Sequence, residues 1–172
     1  NEIEYGTGFP VYYFIEDEFD EKNFFKEFKD LVTTYFKDKH IILEIGRSLV
    51  ASSGVYLTKV ADFKCNTVGK YVILDGGINH LVYYGSTMAM KTPHFEVFQE
   101  KNESEEEVVT LCGSLCTVND ILVKQVSVPK LSVGDLFAFK NTGAYSVTEG
   151  INLFLSRDLP KVLLIKDGRI LV

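Results

Sequence analysis

A carboxylate, a glycine and a guanidinium lie close together in the segment Glu44-Ile45-Gly46-Arg47. Glycine lets the backbone approach a ligand closely, and arginine offers a planar fork of donors that suits a phosphate. A carboxylate among these groups can stabilise a positive charge on the same ligand. The segment therefore indicates a binding site for a charged, flat cofactor.

Three other segments carry residue types that suit such a site. Gly6-Thr7-Gly8-Phe9-Pro10 has two glycines, which let backbone N–H groups reach a phosphate. Cys116 supplies a thiol whose ordinary pKa of about 8.5 can be tuned for proton transfer. Gly143-Ala144-Tyr145 presents a hydroxyl donor. Each also has a purely structural interpretation, respectively a turn, a small buried side chain and a packed tyrosine.

The first 50 residues have the pattern of a strand, a helix and a second strand. We predict strands over residues 2–5 and 40–45, the second apolar on both faces as in a buried parallel sheet. A helix is predicted over residues 21–37, capped by Asp20, with Phe24, Phe28 and Leu31 on the face that packs on the sheet. Such a βαβ unit fits a (β/α)8 barrel or an open α/β sheet, with its special loops at the carboxyl ends of the strands.

From residue 51 onwards β-branched and aromatic residues dominate, which indicates an all-β domain. We predict strands over residues 54–66, 71–74, 94–99, 107–112, 121–128 and 136–140, followed by a hairpin of 161–165 with 169–172. Asp167-Gly168 favours a type I′ turn in that hairpin. Residues 102–104 are predicted to form a solvated loop. The result is a β-sandwich or barrel domain over residues 51–172, after an α/β part over residues 1–50.

Composition excludes several classes of protein. The 172 residues are 46% hydrophobic, which indicates a globular chain, and the net charge of −6 argues against a nucleic-acid partner. No apolar run has the roughly 20 residues of a membrane helix. Three cysteines, Cys65, Cys112 and Cys116, indicate free thiols in a reducing compartment and therefore a cytoplasmic location. A zinc site is not predicted, because the C-x3-C spacing lacks a second ligand pair.

Four motifs, in a fixed order, resemble those of the pyridoxal-phosphate-dependent decarboxylases of the alanine-racemase fold, the ornithine/diaminopimelate/arginine decarboxylase family. Gly6-Thr7-Gly8-Phe9-Pro10 resembles the family's G-G-G-F loop, and Glu44-Ile45-Gly46-Arg47 resembles E-P-G-R. The segment from Gly113 to Asp120 resembles G-P-x-C-[ED]-x-x-D, and residues 143–145 match G-A-Y. The resemblance covers the whole chain and implies that its first 50 residues are the last part of a (β/α)8 barrel.

The resemblance also implies roles for individual residues. Glu44 would pair with the ring nitrogen of pyridoxal phosphate and keep it protonated. The cofactor needs this proton in order to accept electrons when CO2 leaves. Phosphate binding would fall to the glycine loops, the arginine and the tyrosine, namely Gly6, Gly8, Gly46, Arg47 and Tyr145. Cys116 would reach the active site of the partner subunit of a homodimer and help control protonation of the substrate carbon. Asp120 would serve the dimer interface, whereas Cys112 is interpreted as a core residue.

Departures from the family pattern affect the cofactor loop, the substrate and the Schiff base. Thr7 replaces a glycine, so its backbone must adopt angles that a threonine tolerates. Thr117 is neutral where the family has an acid that meets a distal ammonium group, and residues 75–85 lack the R-P-x-x-Y stretch of diaminopimelate decarboxylases. We therefore expect an amino-acid substrate with a different or carrier-linked distal end. His80 can contact substrate or be structural.

The start of the chain predicts that it is a fragment. It begins at Asn1 in what reads as a strand, and the family's Schiff-base lysine precedes the glycine loop, so the chain alone is not expected to decarboxylate anything. Two other functions stay open. One is a non-catalytic β-domain used for dimerisation or binding. The other is an amino-acid racemase of the same fold, although racemases place an arginine at the ring nitrogen and Glu44 speaks against that.

Overall fold

The amino-terminal part of the chain is a βαβ unit in the computed structural model, which describes residues 2–86, 89–100 and 104–171. Strand β1 (Glu2–Gly6) pairs in parallel with β2 (His40–Glu44), and helix α1 (Glu21–Tyr35) connects the two. The Asp20 carboxylate accepts a hydrogen bond from the Asn23 amide at 3.0 Å, so the predicted N-cap is confirmed. The helix ends at Tyr35, before the predicted residue 37.

The predicted burial of β2 is wrong within this chain. β1 and β2 form a two-stranded sheet, so Ile42 and Leu43 remain 38% and 42% exposed. The unit is held instead by an aromatic cluster, in which the Phe28 ring stacks on Tyr5 with centroids 6.0 Å apart. α1 has no buried residue, which follows from the same lack of neighbouring strands.

Two short helical segments follow β2 directly, and sequence patterns did not predict either. Helix α2 (Gly46–Val50) begins within the glycine-arginine segment, and a 3-10 turn (Ala51–Ser53) leads into the sheet domain. Ala51 is 1% exposed and anchors this connection in the core. The short helix therefore carries Arg47 from the end of β2 towards the β-domain.

Six strands form the main sheet, in the spatial order β5-β8-β3-β4-β6-β7. These are β3 (Val55–Cys65), β4 (Lys70–Leu74), β5 (Phe95–Phe98), β6 (Glu106–Cys112), β7 (Ile121–Pro129) and β8 (Leu136–Lys140). Neighbours pair antiparallel except β4 and β6, which are parallel. Each of the six strands predicted between residues 54 and 140 is found, with its ends displaced by no more than one residue.

β3 belongs to two halves of the sheet, and the bend between them shapes the domain. Residues 55–59 pair with β8, and residues 60–65 pair with β4, with a register shift between Val60 and Asp62. Such a bulge bends a strand and increases its twist, so the sheet curls around its core. Val60, Phe137 and Phe139 are fully buried there. The all-β domain is confirmed as a curled sheet; the assignment of residues 1–50 to a (β/α)8 barrel stays a prediction.

The chain ends in a small hairpin of β9 (Ile165–Lys166) with β10 (Arg169–Ile170). Asp167 and Gly168 have φ angles of 50° and 72°, as the predicted type I′ turn requires. The ladder is shorter than predicted, and Val172 lies outside the described residues, as do residues 102 and 103 of the predicted loop. Among the described residues, no helix combines the length and apolar character that crossing a membrane requires.

Candidate functional site

A cavity of about 640 Å³ lies where β2 ends and α2 begins. Four of the residues predicted from sequence line it: Gly8, Glu44, Gly46 and Arg47. Most of the other lining residues are aromatic or charged, and they include Phe9, Tyr12, Tyr13, Phe14, Asp17, Glu18, Phe19, Tyr84 and Lys91. The structure thus brings the glycine loop and the glycine-arginine segment to one cavity. Gly6 and Glu44 are partners in the β1–β2 pair although they are 38 residues apart in sequence.

The β1–β2 register positions Glu44. Gly6 is its direct partner in the parallel pair, and a Cβ at Gly6 would lie 3.8 Å from Glu44 Oε2, an ordinary contact distance. Gly8, two residues on, has a φ of +60°, which is the left-handed region that favours glycine. Thr7 is not among the residues with positive φ, and its hydroxyl accepts from the Phe9 amide at 3.2 Å. The threonine therefore fits this loop without backbone strain.

Arg47 is held on three sides. Its Nη2 donates to Glu149 Oε1 at 2.8 Å, and its guanidinium carbon lies 4.7 Å from the ring centroids of both Tyr84 and Tyr145. The hydrogen bond to Glu149 raises the pKa of Arg47, against the opposing effect of burial. Stacking and ion pairing together fix the orientation of the guanidinium.

Tyr145 reaches Arg47 because two backbone segments approach very closely. The Gly143 amide donates to the Ala51 carbonyl at 2.8 Å, and the Thr142 amide donates to the Gly54 carbonyl at 3.0 Å. A Cβ at Gly143 would lie 2.1 Å from the Val50 carbonyl oxygen, and a Cβ at Gly54 would lie 2.3 Å from the Gly143 nitrogen. Only glycine at both positions allows this contact.

Gly143→Ala is expected to destabilise the chain by about 1–3 kcal/mol, because the added methyl group overlaps backbone that cannot move without breaking the two hydrogen bonds. The measurement is urea denaturation of the 172-residue chain. Gly69→Ala is the control, since its Cβ would meet nothing within 4 Å. Equal denaturation midpoints for the two variants would contradict this account of the contact.

An ion pair forms another part of the cavity wall. Lys91 Nζ donates to Asp17 Oδ1 at 2.8 Å, while Asp17 Oδ2 accepts from the Tyr13 and Phe14 amides at 3.1 and 3.0 Å. Burial opposes ionisation of Asp17, but these hydrogen bonds outweigh burial and lower its pKa below the ordinary value. Asp17 therefore serves as a fixed anion that orders the loop after the glycine motif.

The donors in this cavity fit an anionic group. Arg47 Nη1 and the Tyr13 hydroxyl are buried, and neither makes a hydrogen bond of regular geometry among the residues described, although the Tyr13 hydroxyl lies near enough to the guanidinium to help raise the pKa of Arg47. Buried donors with incomplete hydrogen bonding are costly, so such atoms mark places where a ligand can supply an acceptor. Together with the left-handed Gly8, they form a donor set that suits a phosphate group.

Cys116 and Thr117 lie outside this cavity, on the loop between β6 and β7. Cys116 is exposed and free, as is Cys65. Cys112 is half-buried, and burial raises its pKa, in keeping with a core role. The structure therefore gathers only part of the predicted site in one chain.

Asp120 and His80 prove to be structural within the chain. Asp120 is 2% exposed, and its carboxylate accepts from the Ile78 and Leu115 amides, so this burial does not support a direct role for the carboxylate in an interface. His80 uses both ring nitrogens, 2.9 Å from the Tyr56 hydroxyl and 2.8 Å from the Asp158 carbonyl oxygen. Burial raises the pKa of Tyr56 to about 12, so this hydroxyl stays protonated at neutral pH.

Sequence reasoning missed Tyr13, Tyr84, Lys91 and Glu149 as parts of the site. Glu149 is 102 residues from Arg47, and no local pattern marks it as a partner. The aromatic residues belong to Tyr-rich stretches that look like ordinary core. Only proximity to the recognised G-A-Y motif, four residues before Glu149, was available as a signal.

Comparison with known proteins gives a family match and named relatives. Residues 12–143 match the family model described as pyridoxal-dependent decarboxylase, C-terminal sheet domain. The chain is 34% identical to the L-glutamyl-[BtrI acyl-carrier protein] decarboxylase of Niallia circulans, over 96% of the chain and 41% of that relative. It is 31% identical to the 2-[(L-alanin-3-ylcarbamoyl)methyl]-2-hydroxybutanedioate decarboxylase of Staphylococcus aureus, over 94% of the chain and 42% of that relative.

A similar fold is found among solved structures. The diaminopimelate decarboxylase of M. jannaschii, in co-complex with L-lysine, superposes with a TM-score of 0.80 at 27% identity, covering 98% of this chain and 39% of that one. The chain spans about two fifths of the length of the relatives that it matches. By the extent of the family match and the identity to these enzymes, the chain belongs to the pyridoxal-dependent decarboxylase family, in which it corresponds to the carboxyl-terminal sheet domain.

Proposed function

We propose that this chain is the carboxyl-terminal part of a pyridoxal-phosphate-dependent amino-acid decarboxylase that releases CO2 from its substrate. The observation that carries the proposal is the convergence of Glu44, Gly8 and Arg47 on one cavity, next to buried donors with incomplete hydrogen bonding. A carboxylate and a guanidinium with one cavity between them suit a ligand that is cationic at one end and anionic at the other.

Glu44 is the proposed partner of the cofactor's ring nitrogen. Its carboxylate lies at the carboxyl end of β2, where the parallel pair with β1 fixes the backbone on one side. A carboxylate there holds a proton on the ring nitrogen by favouring its charged form. When bound, pyridoxal phosphate supplies an electron sink for the electrons that remain as CO2 departs.

The phosphate would be held by Gly8, Gly46, Arg47 and Tyr145, with Gly6 shaping the first loop. Arg47 has already committed Nη2 to Glu149, so Nη1 is its free donor towards an anion. Tyr145 lies beside Gly46, since a Cβ at Gly46 would be 3.6 Å from the Tyr145 hydroxyl oxygen. These residues would bind and orient the cofactor.

The proposed enzyme is a homodimer whose active sites are shared between subunits. The exposed position of Cys116 outside the cavity of its own chain supports this arrangement. The thiol would move a proton at the substrate carbon of the partner's site, with Thr117 beside the distal end of the substrate. Three free cysteines support a reducing compartment such as the cytoplasm.

The substrate is proposed to differ from diaminopimelate. Thr117 is neutral, and residues 75–85 contain no arginine, so neither a distal ammonium nor a distal carboxylate would meet the expected counter-charge. By their names, one relative acts on an L-glutamyl group carried by an acyl-carrier protein, and another acts on an L-alanine whose C3 is joined through a carbamoyl group to a hydroxybutanedioate. We therefore favour an amino acid whose distal end is joined to a larger group.

Decarboxylation by the full-length protein, loaded with pyridoxal phosphate, tests this proposal. CO2 release is expected from at least one carrier-linked or amide-linked amino acid, faster than from diaminopimelate. The 172-residue chain, given the same cofactor, is expected to release none and to show no specifically modified lysine after borohydride reduction, as mass spectrometry would detect. A specific pyridoxyl-lysine in this chain would contradict the expectation that the Schiff-base lysine lies outside it. A full-length protein that binds partners but never releases CO2 would favour a non-catalytic β-domain instead.

A further inference from the structure

A ring of hydrogen bonds surrounds the loop that carries Cys116, and the buried side chain of Asp120 is its central member. Asp120 Oδ2 accepts from the Leu115 amide at 2.7 Å, and Oδ1 accepts from the Ile78 amide at 2.9 Å. The backbone of Asp120 closes the same loop, since its carbonyl accepts from the Gly113 amide at 2.9 Å. One residue thus joins the Cys116 loop to the segment that follows β4.

The carboxyl-terminal segment completes the ring. His80 Nε2 donates to the Asp158 carbonyl at 2.8 Å, and the neighbouring Arg157 donates from Nη2 to the Ser114 carbonyl at 2.6 Å. Because Ser114 precedes Leu115, the path returns to the loop from which it started. Three segments that are distant in sequence therefore hold one another around Cys116.

Packing around Asp120 leaves its carboxylate one position. A Cβ at Gly77 would lie 2.1 Å from Oδ1, and a Cβ at Gly113 would lie 2.3 Å from both carboxylate oxygens. The side chain is 2% exposed, so water does not compete for its two amide donors. A charged acceptor with two short backbone hydrogen bonds in such a place is a strong local constraint.

We propose that Asp120 is a positioning residue for Cys116, and that it acts by fixing the thiol-bearing loop against residues 76–80. This inference rests on the proposed function, in which Cys116 acts on the substrate. Within the loop, the Thr117 amide donates to the nearby Leu115 carbonyl at 2.9 Å, and the Asp120 amide donates to the Thr117 carbonyl at 3.2 Å. Cys116 is exposed, so its orientation depends on how firmly the buried base of the loop is held.

Hydrogen exchange in the 172-residue chain tests the structural half of the inference. Asp120→Ala removes both acceptor oxygens, so it is expected to speed exchange at the Leu115 and Ile78 amides by about tenfold or more. Asp120→Asn keeps one acceptor oxygen, so it is expected to speed exchange at only one of these two amides. Asp158→Ala is the matched control, since Asp158 enters the ring only through its backbone carbonyl. Unchanged exchange at both amides in a folded Asp120 variant would overturn the inference.

Kinetics of the full-length enzyme test the functional half. Asp120→Asn is expected to lower kcat about tenfold with little change in KM, and to add less than about twofold to the loss in a Cys116→Ala background. Such non-additivity shows that Asp120 acts through Cys116, whereas a general loss of structure would lower kcat by the same factor in the wild-type and Cys116→Ala backgrounds. An equal loss of kcat in the two backgrounds would overturn the inference. If Cys116→Ala itself is harmless, the role proposed for Cys116 fails and with it the functional half of this inference. CO2 release by the wild type still tests the decarboxylase proposal separately, and the exchange result stands on its own.

Discussion

Glu44→Gln in the full-length protein is expected to lower decarboxylation by about 10²–10³-fold while pyridoxal phosphate remains bound. Glutamine keeps the size of the side chain and removes its charge, so it no longer favours a proton on the cofactor's ring nitrogen. Binding should survive because Arg47, with its partners Glu149, Tyr84 and Tyr145, is untouched by the change. The losses should therefore fall on kcat and not on cofactor affinity.

The measurement combines CO2 release at saturating substrate with a fluorescence titration of the cofactor. Glu18→Gln is the matched control, because Glu18 is another exposed carboxylate that lines the same cavity. A Glu44→Gln enzyme within about threefold of the wild type would show that Glu44 does not control the reaction. Loss of cofactor together with loss of activity would instead assign Glu44 to binding.

Cys116→Ala in the full-length protein is expected to be nearly inactive as a homodimer, and to regain activity when co-assembled with Glu44→Gln subunits. A heterodimer has one site in which both Glu44 and the partner's Cys116 are intact. Random assembly of a two-fold dimer makes half of the dimers mixed, so about a quarter of wild-type activity should return. The proposed sharing of sites between subunits is the reason for this recovery.

The two variants should be co-expressed with different affinity tags. The doubly tagged dimer keeps one intact site of two, so it should release CO2 at about half the wild-type rate, against about a quarter for the unseparated mixture. Cys65→Ala is the control, since Cys65 is also exposed and free but lies at the end of β3. As a homodimer it should match the wild type, whereas the Cys116→Ala homodimer should not. A mixed dimer no more active than its parents would mean that Cys116 and Glu44 serve the same subunit's site or that the thiol has no role.

Sequence patterns predicted the secondary structure well because its determinants are local. The Asp20 cap, the apolar spacing of Phe24 and Phe28 and the Asp167-Gly168 turn each act within a few residues, and each is found in the structure. Burial was predicted less well. The apolar residues of β2 indicate a buried strand, but burial needs neighbours on both sides, and this strand has one.

The candidate site also has a part that local sequence predicts and a part that depends on distant segments. The sequence by itself determined which segments are candidates for chemistry, because motif order and residue type are properties of the chain: the glycine loop, Glu44, Arg47, Cys116 and Tyr145. Their meeting depends on contacts between distant segments, which no local pattern encodes. The Arg47–Glu149 ion pair spans 102 residues, and Tyr145 reaches Arg47 only because Gly54 and Gly143 let two backbones touch. Tertiary structure alone also decided that Asp120 is buried, since its burial follows from the space left by Gly77 and Gly113.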